Sequence, residues 1–70
     1  MLVKPKIKKI KKKREKLGLS KHQVSLRAGL SGASLSRIES GTTKYIHSLR
    51  AQAIAKALGC NVKDIFEAAE

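Results

Sequence analysis

The chain is poor in the residues that staple, stack or span. Its single cysteine, Cys60, among 70 residues leaves no intramolecular disulfide, and without partner cysteines a zinc finger is excluded as well. Tryptophan is absent, and one tyrosine and one phenylalanine are the only aromatics. With so thin an apolar and aromatic surface, a membrane-surface helix is a poor reading. No apolar run approaches the roughly 20 residues that cross a bilayer, and none follows Met1 as a signal-peptide core. The expectation is a cytoplasmic protein with no membrane partner. Acidic residues are also scarce: five Asp and Glu face sixteen Lys and Arg, for a net charge of +11. The carboxylates are scattered, no serine, cysteine or lysine has a recognisable base and orienting acid, and no G-x-x-x-x-G-K loop occurs. No enzyme, cofactor or metal is expected.

The basic charge is unevenly placed. Residues 1–16 hold nine Lys or Arg against Glu15 alone, whereas residues 45–70 carry three of each sign. Such asymmetry favours a polyanion, because each phosphate neutralised by a lysine releases condensed counterions. A charge run that only keeps a small protein soluble is the plainer alternative.

Seventy residues make one small domain, for which helices with local contacts are the economical solution. Pro5 disfavours helix at Lys4, so residues 1–6 read as a basic N-terminal arm ahead of a domain over 7–70. Ile7, Ile10, Arg14 and Leu17 form one helical stripe that Gly18 closes. Ser20 and Gln23 form a capping box, with Leu19 placed to staple onto Val24. Gly29 marks a left-handed turn, Ser31 caps the next helix, and Leu30 and Leu35 repeat the staple. Val24, Ala28, Leu30, Leu35 and Ile38 all face one way if the two helices cross steeply, which makes a helix-turn-helix. A fourth helix spans about Ser48 to Leu58 with Ala51, Ile54, Ala55 and Leu58 on one face. A fifth is capped by Asn61 and Asp64, with Val62, Ile65, Phe66 and Ala69 at helical spacing. The expected fold class is all-α, a compact five-helix bundle.

Val24, Ser25, Ala28, Gly29, Leu30, Leu35 and Ile38, with the flanking K-K-K-R-E-K-L-G-L, A-I-A-K-A-L-G and N-V-K-D-I-F, resemble the Cro and phage-repressor (XRE-like) helix-turn-helix family over about Ile7 to Phe66. The resemblance implies a lambda-repressor-like DNA-binding domain whose recognition helix, from about Gly32 to Ser40, reads the major groove of double-stranded DNA. Gly32, Ala33, Ser34, Ser36 and Arg37 are then the base-contacting candidates. Among them Arg37 alone can pair bidentately with guanine O6 and N7. Ser20, Lys21, Ser40, Thr43 and Lys44 are the phosphate candidates. The resemblance also pairs Arg14 with Glu39 as a structural ion pair. It implies a transcriptional regulator, a repressor of phage or mobile-element type, with a homodimer on DNA and a two-fold surface around exposed Ile65 or Ala69 as a further expectation.

Two other readings stay open at this point. Leu26 either covers helix one or meets a protein partner, as in an antitoxin-like interaction module. The lysine-rich start alternatively serves a non-specific architectural or RNA-binding protein. His22 and His47, without acidic or cysteine neighbours at a useful spacing, read as surface residues.

Overall fold

The structure, a computed structural model, describes residues 1–69. In chain order it runs β1 (Leu2–Pro5), α1 (Ile7–Lys16), α2 (Lys21–Arg27), α3 (Ser34–Glu39), β2 (Ile46–His47), α4 (Ser48–Ala57), α5 (Val62–Ile65) and β3 (Phe66–Ala68). The five expected helices are present, but the all-α class is corrected. The three strands form an antiparallel sheet in the order β2-β1-β3.

Residues 2–5, read as an arm, are extended, yet they form the middle strand. Leu2 pairs with His47 and Val3 with Ile46 on one side. Val3, Lys4 and Pro5 pair with Ala68, Glu67 and Phe66 on the other. Val3 enters the core, and Pro5 sits at the strand's last position, where its missing N–H costs least. The fifth helix is correspondingly short. Phe66 turns extended, at φ −135° and ψ 158°, because the backbone after Ile65 finds strand partners in β1. The alternation of a strand then puts Phe66 inside and Glu67 outside. Ile65 is buried, not exposed, which removes it from any two-fold surface.

Helix ends follow local chemistry closely. α1, α2 and α4 each end in a Schellman arrangement. In α2 the Gly29 N–H donates to Leu26 O and the Leu30 N–H to Ser25 O, both at 2.9 Å, while Gly29 takes φ +74°. The capping box at Ser20 with Gln23 is formed; at the start of α5 only its second half is, the Asn61 N–H donating to Asp64 Oδ2 at 3.0 Å while the Asp64 N–H bonds the Asn61 backbone oxygen at 3.1 Å. Ser31 does not act as expected. α3 begins three residues later, the N-cap position falls at Ala33 without a side-chain bond, and Ser31 instead meets the Ser34 hydroxyl at 3.0 Å. Gly32 and Ala33 therefore belong to the turn before α3 rather than to the helix.

The core gathers Ile10 from α1, Val24 from α2, Leu35 and Ile38 from α3, Ile54 and Leu58 from α4, and Ile65 and Phe66. Leu17, placed on the inward stripe by spacing, is half-exposed. At the far end of α1 the Lys6 N–H donates to Ile65 O at 2.8 Å, joining the start of that helix to the end of α5.

Candidate nucleic-acid interface

Three side chains fix α2 and α3 relative to the rest. Arg14 is almost buried on α1, and its guanidinium makes a fork-to-fork contact with Glu39 at the end of α3: Nε donates to Oε2 at 2.7 Å and Nη2 to Oε1 at 3.0 Å. Its Nη1 donates to Leu19 O at 2.9 Å. One cation thus ties α1 to both the loop before α2 and the helix after it. The hydrogen bonds that Arg14 donates to Glu39 hold its pKa above its already high ordinary value against the opposing effect of burial, so the group stays charged.

The third is Ser25. Its position between the helices calls for a small residue, but its hydroxyl also matters: Oγ donates to Lys21 O at 2.8 Å and accepts from the Leu35 N–H at 2.9 Å. The Leu35 amide lies in the first turn of α3, where no intrahelical carbonyl is available. Ser25 supplies the missing acceptor in a buried place. Size alone pointed to this residue in the sequence; the hydroxyl's role depends on a contact ten residues away, which no local pattern carries. Ser25→Ala should lower stability by about 1–3 kcal/mol, the cost of an unsatisfied buried donor. Chemical denaturation would show it as a lower midpoint at unchanged slope.

With that frame in place, Leu35 and Ile38 point inward and Ala33, Ser36 and Arg37 are exposed. Gly32 and Ser34 are half-buried. Leu35 and Ile38 are three residues apart, as are Ala33 and Ser36, which is why spacing alone sorts them; Gly32, expected on the open side, is instead half-buried in the turn before α3. Lys21 and Ser20 are exposed at the start of α2. The Ser20 oxygen accepts from the Gln23 N–H at 3.0 Å, leaving its own proton to donate elsewhere.

The loop after α3 is held against that helix. The Thr43 N–H donates to Arg37 O at 3.1 Å. Ser40 Oγ donates to the same carbonyl at 3.0 Å and lies 3.0 Å from Thr42 Oγ1. Ser40 therefore ends the helix and shapes the turn, while Thr43 is half-buried beside α3 and Lys44 is exposed. A cleft brings Ser34, Arg37 and Thr43 together with Tyr45, His47 and Arg50. Arg50, exposed on the first turn of α4, adds a second guanidinium to the side of α3 that carries Arg37. Nothing local in the sequence marked it. His47 has an internal task as well, since Nδ1 accepts from the Leu49 N–H at 3.2 Å and caps α4.

The lysines of α1 lie elsewhere. Lys9, Lys12, Lys13 and Lys16 line a groove with Lys63 and Asp64, and no residue of α2 or α3 borders it. Leu26 is exposed and does not cover helix one. Cys60 packs against the core, and burial pushes its thiol pKa up, which favours the neutral thiol. Among the described residues no helix is long and apolar enough to cross a membrane.

A model of the helix-turn-helix family, of the Cro and phage-repressor type, matches residues 10–65. The match begins inside α1 and ends with α5, so it takes in every helix that frames the Arg37 face. No curated protein and no solved structure matches the chain.

Proposed function

Because the chain belongs to the Cro and phage-repressor type of helix-turn-helix family, whose members are DNA-binding transcription regulators, we propose that it is a sequence-specific repressor that occupies an operator in double-stranded DNA. The observation that carries this reading is the division of α3: Leu35 and Ile38 are buried while Ser36 and Arg37, with Ala33 in the turn before the helix, stand exposed. A helix held so firmly by Arg14, Glu39 and Ser25 is suited to enter the major groove without rearranging.

In this reading Arg37 contacts guanine, the small side chains of Ala33, Ser34 and Ser36 allow close approach, and Ser20, Lys21, Thr43 and Lys44 meet phosphates. Arg50 joins the phosphate set. Few long side chains are available to read bases, so part of the selectivity falls to DNA shape and bridging water. If the protein binds as a homodimer, its half-sites lie about one helical turn, roughly 34 Å, apart.

Selection of binding sites from random duplexes at two salt concentrations tests the proposal. One enriched motif is expected, and no enrichment at either salt would sink it. Arg37→Ala should lose about 1–3 kcal/mol of discrimination at a single G·C pair. Lys44→Ala should instead weaken all duplexes alike and make the salt dependence shallower by about one charge.

A further inference from the structure

The turn that leads into α3 holds a residue with no side chain at a place where a base-reading side chain would be useful. A Cβ added to Gly32 would collide with the imidazole of His22, meeting Cε1 and Nδ1 first, with Nε2 at 3.6 Å. The backbone does not require glycine there: Gly32 is not among the residues with positive φ. The space a side chain would take is filled by the ring, which reaches across from the second residue of α2 and lies against Gly32. His22 is exposed and has no part in the core.

We infer that His22 substitutes for the side chain Gly32 lacks, and that its imidazole N–H donates to a purine in a base pair other than the one met by Arg37. The inference rests on the DNA-reading role of α3 proposed above. A neutral imidazole offers one donor and one acceptor. In the major groove guanine presents N7 and O6 as neighbouring acceptors, adenine presents N7 beside a donor, and thymine adds a methyl group. A ring donor therefore favours purine N7, guanine before adenine. Packing on the Gly32 backbone limits where the ring can go before DNA arrives, which reduces the ordering left to be done on binding. Glycine and histidine then form one device, and any larger residue at position 32 expels the ring.

The test is site selection followed by titration of single-base variants of the selected duplex, using the full chain as wild type, His22→Ala, His22→Gln, Gly32→Ala, the His22→Ala/Gly32→Ala double variant and Arg37→Ala. His22→Ala should flatten the preference at one purine by about 3- to 10-fold, the range of a single net hydrogen bond. The position lost in Arg37→Ala should stay intact. Gly32→Ala should flatten the same purine position, and the double variant should be no worse than either single one, because both remove the same contact. His22→Gln, which keeps a donor, should restore part of the preference. Thermal melts of all variants should match wild type, which separates loss of reading from loss of fold. If wild type and His22→Ala select the same motif while Arg37→Ala does not, the inference fails and the role of α3 stands. If Gly32→Ala and His22→Ala act on different positions or add, the shared device is refuted. If wild type selects no motif, both readings fall together.

Discussion

Glu39→Ala should destabilise the domain by about 3–5 kcal/mol, because it leaves the Arg14 guanidinium charged, nearly buried and without its carboxylate. The side chains of the pair are 10% and 3% exposed, so water cannot take over from the lost partner. A small domain of this kind has about 5–15 kcal/mol in total, and the variant would be substantially unfolded on mild warming. Replacing both partners with apolar residues of similar volume should cost much less, since no charge is then stranded. Some cost remains even so, because Leu19 O loses the donor that Arg14 Nη1 provides. Guanidinium chloride titrations of the two single variants and the double variant measure the coupling directly. Single and double variants of equal stability would show that the pair does not hold α1 to α3.

Phe66→Ala should be comparably severe, at about 3–5 kcal/mol. The ring is 1% exposed and is the largest side chain in the core, in a protein with no tryptophan to share the task. It stands where α5 becomes β3, so the cavity opens beneath both the sheet and the last helix. A variant that melts within a few degrees of wild type would mean the site collapses around the gap. Both substitutions should abolish DNA binding near the melting temperature, although neither residue faces the proposed interface. Circular dichroism recorded alongside binding distinguishes this from loss of a contact.

The helices were legible in the sequence because their signals are local. Gly18, Gly29 and Gly59 close α1, α2 and α4, and Ser20 and Asn61 open α2 and α5, all through atoms within a few residues of each other. The pairing of Arg14 with Glu39 came from the family likeness, not from spacing. The sheet was hidden. Val62, Ile65, Phe66 and Ala69 fit a helical period, and in Phe-Glu-Ala-Ala only Phe66 favours a strand. Only β1, from the opposite end of the chain, makes residues 66–68 extended; tertiary pairing overrode the local pattern. For the proposed interface, Arg37 is named from its place on the helix. His22 and Arg50 are not, because what matters is the bare backbone of Gly32 beside one and the cleft beside the other.

The middle position of β1 carries a consequence for how the protein is made. Residues 2–5 are synthesised before every other element described here, while the strand they need on one side follows all of them. Until residues 66–68 leave the ribosome, that flank lies open, Val3 lacks part of its cover, and Ile65 O is not there to receive the Lys6 amide. Closing so wide a loop is slow compared with forming a helix. A copy lacking residues 66–68 would therefore lack the clasp that secures α1.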